Sequence, residues 1–180
     1  FVNPVQFNDP EDFEKYPVTI EKDILMLEGA GCDILFLPSV SEIYPDGISK
    51  KNNYDLGFIE TILEGKFRPG HFQGVCMVMQ RLLEIVLPDH LYLGQKDYQQ
   101  CMVIKKLIEI IGLKNKVEAV ICTTLREPNG LAMSSRNMRL SKEEKEQAAA
   151  ICNSLLMIKE NFLKEPAAVL KEKAQTMLKQ

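Results

Sequence analysis

The residues best suited to chemistry lie in the middle of the chain, in the segment 91–100. An apolar strand pattern ends there at Gly94, and a helix pattern follows at once. Open parallel sheets bind ligands beyond the carboxyl ends of their strands, where glycine admits a ligand to the backbone and helix N-termini attract anions. Lys96 suits a phosphate, Asp97 can cap the helix or bind a ribose hydroxyl, and Gln100 can bind a polar substrate. A plain strand, turn and helix with a solvated Lys96 and Asp97 stays open as the alternative.

A second cluster lies in the segment 130–137, which reads Gly-Leu-Ala-Met-Ser-Ser-Arg-Asn. The adjacent hydroxyls of Ser134 and Ser135 and the guanidinium of Arg136 form a compact set of donors. Such a set can bind a triphosphate and neutralise charge as pyrophosphate leaves, although an ordinary solvent-exposed loop has the same composition. Two loops of this kind in one chain favour nucleotide binding, and we expect the segments around residues 96 and 135 to face one polyanion.

Two weaker signals lie outside these loops. Asn3 and Gln6 flank Pro4, where their amides either recognise a hydroxy acid or satisfy the backbone of a turn. His71 stands at the start of a predicted helix, and a structural cap is the favoured interpretation over a catalyst. The sequence contains no H-E-x-x-H, P-loop, G-x-G-x-x-G or G-x-S-x-G motif. The motifs that usually indicate proteolysis, Walker-type NTP hydrolysis or dinucleotide-dependent redox chemistry are therefore missing from this sequence.

The apolar spacing predicts alternating helices and strands, which is typical of an α/β fold with an open parallel sheet. The predicted strands cover residues 1–2, 33–38, 90–93 and 117–122, and the predicted helices cover 20–28, 72–87, 98–111, 142–163 and a segment after Pro166. The pattern changes near Arg126, where a polar loop precedes the last two helices. We therefore predict an α/β domain over residues 1–125 and part of a smaller helical domain over 126–180. The polar segment 50–54 is expected to be an exposed loop.

The composition is that of an ordinary globular protein, with 46% apolar residues, 26% charged residues and a net charge of −3. No apolar run is long enough to cross a bilayer, and no basic block offers a surface for nucleic acid. The five cysteines are widely spaced and lack a C-x-x-C pair. This usage speaks against a metal site or a disulfide framework and indicates a cytosolic protein.

Five segments together resemble the pantothenate synthetase (pantoate–β-alanine ligase) family in their order and approximate spacing. They are residues 1–7, 44–47, 63–72, 94–100 and 126–137. The resemblance implies a Rossmann-like nucleotidyltransferase fold followed by a smaller C-terminal domain, in a cytosolic homodimeric ligase of pantothenate and coenzyme A biosynthesis. It also implies a reaction that depends on ATP and Mg²⁺. Pantoate first forms pantoyl adenylate and pyrophosphate, and β-alanine then displaces AMP to give pantothenate.

The resemblance further implies the roles of individual residues. Gln6 and Gln100 correspond to pantoate-binding glutamines, Gln6 also borders the β-alanine position, and the backbone at Leu125 corresponds to an adenine contact. The other matches to ATP-binding positions are Gly94, Gln95, Lys96 and Asp97 in the first loop and Met133, Ser134, Ser135 and Arg136 in the second. We expect Lys96 and Arg136 to stabilise charge in the transition state, because this reaction depends on positioning and on phosphate neutralisation.

The chain also departs from the family pattern. Asp23 matches one member of an acidic pair near Mg²⁺, but its neighbour is Lys22, and no metal ligand is assigned. The family's histidine-bearing nucleotide loop and its closing strands correspond to sequence before residue 1 and after residue 180, so we expect the 180-residue piece alone to form little adenylate and to bind ATP weakly. Two other classes stay open: a different adenylate-forming nucleotidyltransferase, which the Gln6 and Gln100 pair disfavours, and a non-catalytic nucleotide-binding module.

Overall fold

A computed structural model describes residues 1–48 and 53–179 of the chain. Within these ranges the fold is mixed α/β, with eight α-helices, two β-strands and four short 3₁₀ turns. The helices are α1 (Pro10–Glu14), α2 (Ile20–Gly29), α3 (Val40–Ile43), α4 (Leu63–Phe67), α5 (His71–Val86), α6 (Tyr98–Ile110), α7 (Lys142–Asn161) and α8 (Ala167–Met177). The strands are β1 (His90–Gly94) and β2 (Glu118–Cys122), and the 3₁₀ turns are Pro4–Gln6, Gly57–Glu60, Gln95–Asp97 and Ser135–Arg139. None of the helices in the described ranges is long and apolar enough to span a membrane.

The two strands form a parallel pair, which confirms the predicted strand type at both places. Their register runs from His90 opposite Glu118 to Gly94 opposite Cys122. Parallel strands need a crossover connection, and α6 provides it between the end of β1 and the start of β2. Gly94 and Cys122 therefore lie at the same edge of the sheet, which we call the carboxyl edge.

Helices α5 and α6 form the packed centre of the N-terminal part of the chain and lie where the apolar spacing predicts them. Their buried side chains meet in one apolar core. Among the largest fully buried members are Phe72, Leu83, Val103, Ile104 and Leu107. Burying a side chain of this size stabilises the fold by about 1.5–3 kcal/mol relative to leaving it in water. The helix ends also follow the sequence, since α6 stops before Gly112, whose φ of +72° is the left-handed conformation of a helix-terminating glycine.

Two of the predicted strands do not form, and those predictions are wrong. Residues 33–38 are irregular with Ile34 86% exposed, and residues 1–2 also lie outside any strand. A strand needs a neighbour that satisfies its backbone donors and acceptors, and the only sheet among the described residues is the pair β1 and β2. Helix α2 does form at the predicted place, but Ile20 and Leu27 on its predicted inner face are exposed.

The predicted exposed loop at residues 50–54 lies mostly outside the described residues, which resume at Asn53. Tyr54 is buried rather than exposed. Its backbone N–H donates to Gln73 Oε1 at 2.9 Å, and its hydroxyl donates to Gln80 Oε1 at 2.6 Å. Hydrogen bonds to both ends of the residue hold this tyrosine against α5, which the local polarity of the sequence does not reveal.

Two compact units make up the structure, the first covering Phe1–Thr123 and the second beginning at Thr124. In the second unit, Ser141 opens α7 with the predicted capping box, in which its hydroxyl accepts from the Glu144 N–H and the Glu144 carboxylate accepts from the Ser141 N–H. Helices α7 and α8 pack against each other and bury Leu170 and Ala174. The assignment of a nucleotide- and pantoate-binding role to residues 1–125 stays a prediction.

Candidate active site

The first predicted ATP loop, residues 94–97, lies at the carboxyl edge of the sheet. Gly94 ends β1, and the 3₁₀ turn Gln95–Asp97 leads directly into α6. Lys96 Nζ donates to Asp97 Oδ1 at 2.7 Å, and both side chains are exposed. The Asp97 side chain makes no capping bond to α6, so capping is not its role here. Because an exposed ion pair contributes little, about 0–1 kcal/mol, Lys96 can exchange this partner for a phosphate at small cost.

Gly94 has open space beside it. Its φ is −73°, which any residue adopts, and a Cβ added there would meet no atom within 4 Å. Its carbonyl accepts from the buried thiol of Cys101 at 3.4 Å. Burial, and after it the charge of Asp97, raises the pKa of that thiol. The thiol stays protonated and acts as a fixed donor under the loop, while the outer side of Gly94 is left open.

The two adjacent glutamines at the start of α6 have different environments. Gln99 Oε1 accepts from the Glu64 N–H at 3.0 Å, and its Nε2 donates to the carbonyls of Ile59 and Ile62 at 2.7 and 2.8 Å. Gln100 is half-buried, and its side-chain amide makes no hydrogen bond to any residue within the described ranges. Gln99 therefore fixes the segment 59–64 against α6, and the ligand-binding role of Gln100 stays a prediction.

A turn at residues 3–6 carries the other predicted pantoate residue. Asn3 is 2% exposed; its Nδ2 donates to the Gly74 carbonyl at 3.1 Å, and its Oδ1 accepts from the Tyr44 hydroxyl at 3.0 Å. Of the two interpretations open for Asn3, the structure supports the backbone-satisfying one. Gln6 is half-buried, and within the part of the chain that is described its side-chain amide has no hydrogen bond.

His71, the first residue of α5, contacts the backbone of this turn. Its Nδ1 lies 2.8 Å from the Gln6 carbonyl oxygen. Burial is the main cause that lowers the pKa of His71; Arg68 adds to the lowering, while the bond to Gln6 and the charges of Glu64 and Asp97 oppose it. The first residue of α5 is therefore bonded directly to the backbone of Gln6. The expectation that the pantoate residues lie beside the first ATP loop stays a prediction.

The second predicted ATP loop, in the second unit, is built by a short hairpin. The Met133 N–H donates to the Leu125 carbonyl at 2.9 Å, Arg126 forms an antiparallel bridge with Ala132, and Arg126 Nη1 donates to the Gly130 carbonyl at 2.9 Å. Leu125 is 74% exposed at the base of this hairpin, and Met133 is exposed as well. The expected contact of the Leu125 backbone with adenine stays a prediction.

Residues 134–136 follow the hairpin as the start of a 3₁₀ turn. Ser134 is its N-cap, and its hydroxyl oxygen accepts from the Arg136 N–H at 3.3 Å. Ser135 and Arg136 are exposed. The loop is thus ordered by its own backbone and presents polar side chains to solvent. The expectation that it faces the same polyanion as Lys96 stays a prediction.

Asp23, the predicted acidic position near Mg²⁺, lacks the neighbouring ligands that would let the described residues bind the ion by themselves. Asp23 lies on α2, and its Oδ1 accepts from the Thr19 hydroxyl at 3.1 Å. Across residues 1–48 and 53–179, no three histidine, cysteine or acidic side chains come together as a metal site. Protein-bound Mg²⁺ ordinarily uses one or two carboxylates together with substrate phosphates.

An open pocket of about 420 Å³ lies elsewhere in the first unit and contains none of the predicted site residues. Its lining includes Tyr44, Tyr54, Gln80, Arg81 and Glu84. Burial is the first cause that raises the pKa of Tyr44 to about 12, so its hydroxyl stays protonated and serves as the donor to Asn3. Within this pocket, Tyr54 binds Gln80, Gln80 binds Glu84, and Arg81 contacts Glu84 at 3.2 Å.

With this geometry in place, comparison with known proteins decides the family. The sequence matches the family described as Pantoate-beta-alanine ligase over residues 1–180. The chain belongs to this family. Among curated relatives, the pantothenate synthetase of Cytophaga hutchinsonii is 47% identical over 169 residues, which cover 94% of this chain and 58% of that protein. The pantothenate synthetase of Porphyromonas gingivalis is 47% identical over 155 residues, which cover 86% of this chain and 54% of that protein.

Solved structures of the same family share the fold. The pantothenate synthetase of Thermus thermophilus matches with a TM-score of 0.91 at 39% identity, covering 99% of this chain and 64% of that one. The pantoate-beta-alanine ligase of Francisella tularensis, complexed with beta-gamma ATP and beta-alanine, matches with a TM-score of 0.80 at 40% identity, covering 98% of this chain and 65% of that one. The predicted α/β nucleotidyltransferase-like fold is confirmed. The chain spans between half and two thirds of the length of these relatives.

The sequence does not reveal the roles of Arg68, His71 and Gln99. Arg68 and His71 bind the Gln6 carbonyl, and Gln99 binds the segment 59–64. Each acts on residues 35 to 65 positions away, such as Glu64 for Gln99 and Gln6 for His71. Contacts over such distances leave no local signal in the sequence.

Proposed function

We propose that the whole protein joins pantoate to β-alanine at the expense of ATP. In the first step, a pantoate carboxylate oxygen attacks the α-phosphorus of ATP, and pyrophosphate leaves as pantoyl adenylate forms. In the second step, the β-alanine amine attacks the acyl carbon; the C–N bond forms, the bond to AMP breaks, and the amine loses one proton. Membership of the family supports this proposal, as does the Francisella tularensis relative with its bound beta-gamma ATP and beta-alanine.

One observation on this chain carries the proposal. Gln6 and Gln100 are half-buried, and neither side-chain amide is hydrogen-bonded within the described residues, although the amides of Asn3 and Gln99 are. An amide that is partly removed from water without a partner costs free energy, about 1–3 kcal/mol when fully buried. A ligand with hydroxyl and carboxylate groups, as pantoate has, would satisfy both amides. Gln6 would also border the β-alanine position.

The remaining residues act through charge and position. Gly94, Gln95, Lys96 and Asp97 would contact ATP from the first unit, with Lys96 stabilising the charge that develops on the phosphates. In the second unit, the backbone at Leu125 would contact adenine. Met133, Ser134, Ser135 and Arg136 would form the second set of ATP contacts, with Arg136 neutralising charge as pyrophosphate leaves. Neither step requires an acid or base with a strongly shifted pKa.

The reaction would use Mg²⁺ together with ATP. We also propose that the protein is a homodimer in the cytosol. The family resemblance supports the homodimer and the cytosolic location, and the free cysteines are consistent with a reducing compartment. Analytical ultracentrifugation of the whole protein tests the dimer. A monomer at micromolar concentration would contradict it.

The experiment that tests the function supplies the whole protein with ATP, Mg²⁺, β-alanine and a panel of hydroxy acids. We expect AMP release that requires both pantoate and β-alanine, with pantothenate as the product. Turnover with a different acid would indicate another adenylate-forming nucleotidyltransferase. ATP binding without any turnover would indicate a non-catalytic module.

The same assay compares the whole protein with residues 1–180 alone. We propose that the 180-residue chain makes pantothenate far more slowly and binds ATP weakly, because it spans only 58% of a relative such as that of Cytophaga hutchinsonii. Pantothenate formation by residues 1–180 at the rate of the whole protein would overturn this part of the proposal.

A further inference from the structure

The main-chain carbonyl of Gln6 is held by two side chains from a distant part of the sequence. His71 Nδ1 lies 2.8 Å from this oxygen, and Arg68 Nη2 donates to it at 3.4 Å. Arg68 Nη1 also lies 3.3 Å from His71 Nε2 and 3.5 Å from the Glu64 carboxylate. The three groups therefore form one chain of contacts that ends on the backbone of Gln6.

These contacts fix the protonation state of His71. A carbonyl oxygen only accepts, so Nδ1 must carry the proton; a guanidinium only donates, so Nε2 must be the acceptor. A protonated imidazolium would place an N–H against an N–H of Arg68 and lose that contact. The arrangement thus requires the neutral ring with its proton on Nδ1.

The other end of the same turn is fixed independently. Asn3 binds the Gly74 carbonyl and the Tyr44 hydroxyl, and the Val5 backbone lies directly on α5. A Cβ at Gly74 would lie 2.7 Å from the Val5 carbonyl oxygen, so only glycine permits this approach. With the backbone held at both ends, the side-chain amide of Gln6 is the part of the turn that is left for a ligand.

We infer that His71 is a positioning residue, which in its neutral form holds the Gln6 carbonyl and thereby directs the Gln6 amide toward pantoate and β-alanine. The inference rests on the proposed function, because it assigns a task to Gln6 in that reaction. It differs from a helix-capping role, since the ring binds another segment 65 positions away rather than the first turn of α5.

The inference also predicts how pantoate binding depends on pH. The charged groups that act on the His71 ring are Arg68, Glu64 and Asp97. Burial leads the causes that lower its pKa from the ordinary 6.5, so the neutral ring persists at neutral pH. Only below that value does the ring gain a proton, lose the Arg68 contact and loosen Gln6. The KM for pantoate should therefore rise as the pH falls below 6.5. The KM for ATP should not show this rise.

The test uses His71→Ala and His71→Asn in the whole protein. We expect His71→Ala to raise the KM for pantoate by about 10-fold or more, with a small change in the KM for ATP. Asparagine offers an N–H near the position of Nδ1, so His71→Asn should restore most of the binding. Because it cannot titrate, this variant should also lose the acid-side rise in the pantoate KM.

A double-variant cycle with Gln6→Ala separates positioning from a general structural effect. If His71 acts through Gln6, His71→Ala should change the pantoate KM by less than about twofold once Gln6 is alanine. Full additivity of the two changes would overturn the inference. If His71→Ala does not fold, the test compares how the pantoate KM of the native protein and of His71→Asn depends on pH. Identical pH profiles would refute the inference.

The matched control is His90→Asn, a change at the other histidine of the chain. His90 begins β1 and contacts Glu118 at 3.2 Å on the surface, at the opposite end of the strand from the candidate site. We expect its pantoate KM and pH profile to match those of the native protein. Failure of the native protein to make pantothenate would refute the proposed function itself, whereas normal turnover with an unaffected His71→Ala variant would refute only the inference.

Discussion

The two predicted ATP loops, residues 94–97 and 133–136, are supported in different ways. The first is held by long-range structure, since β1 pairs with β2 and α6 follows immediately. The second is held by nearby bonds, such as those from the Met133 N–H to Leu125 and from the Arg136 N–H to Ser134. These bonds of the second loop join residues no more than eight positions apart, whereas the first loop depends on the pairing of two strands 28 positions apart.

The glycines of the two loops show the same contrast. Gly130 has a φ of +91°, and a Cβ there would lie 3.1 Å from the Cys152 sulfur. Gly94 has an ordinary φ and open space around it. Fold and packing therefore explain Gly130 but not Gly94. This difference suggests that Gly94 is small to admit a ligand.

Lys96→Ala in the whole protein removes the charge that the first loop offers to ATP. We expect adenylate formation to fall by roughly 10²-fold or more, the size typical of losing a preorganised donor in the transition state. Release of pyrophosphate in a single turnover measures this step directly. Stability should change little, because the ion pair with Asp97 is exposed.

Lys106→Ala is the control for that experiment. Lys106 lies on α6 and forms a comparable surface contact with Glu109 at 3.7 Å. Its removal should leave adenylate formation unchanged. An unchanged rate in Lys96→Ala, or equal losses in both variants, would reject the role of Lys96.

The adjacent glutamines of α6 offer a second contrast within the same loop region. Gln100→Ala should weaken pantoate binding by about 1–3 kcal/mol, since we propose that pantoate satisfies its side-chain amide. Gln99→Ala should instead lower the free energy of unfolding, because it removes three hydrogen bonds to the segment 59–64. Calorimetric titration and chemical unfolding measure the two effects. A Gln100→Ala variant altered only in ATP affinity would contradict the assignment.

Gly130→Ala tests the local support of the second loop. Alanine in a left-handed conformation costs roughly 1–3 kcal/mol, and the new methyl group would also press on Cys152. We expect a loss of this size in the free energy of unfolding of the whole protein. An unchanged free energy of unfolding would mean that the hairpin readily rearranges. The proposed difference between a structurally required Gly130 and an unconstrained Gly94 would then be wrong.

The sequence predicts the elements whose partners are local or lie in adjacent elements. The strand at 90–93, the helix closed by Gly112 and the capping box at Ser141 all form as their patterns indicate. The helix end and the capping box have their partners close by along the chain, and the strand at 90–93 pairs with the next strand, β2, 28 positions further on. Amphipathic spacing and capping chemistry are then sufficient evidence.

The sequence does not predict features that depend on remote partners. The apolar segment 33–38 has the composition of a buried strand, yet Phe36 is exposed because no described strand pairs with it. The hydrogen bond between His71 and the Gln6 carbonyl cannot be predicted either, because no sequence pattern links the two residues. For the candidate site, residue types were therefore predictable, while the network that orients them was not.

Gly94→Ala completes the comparison and should have the smallest effect on stability. The backbone accepts alanine, and the added methyl group meets no atom within 4 Å, so the free energy of unfolding should change by no more than about 0.5 kcal/mol. If ATP approaches this backbone, however, the same methyl group occupies its space, and the KM for ATP should rise. A stable variant with impaired ATP binding would show that the glycine serves the ligand, because its conformation and its neighbours would have been left intact. A stable variant with normal ATP binding would remove Gly94 from the site and leave Lys96 as the main evidence for the first loop.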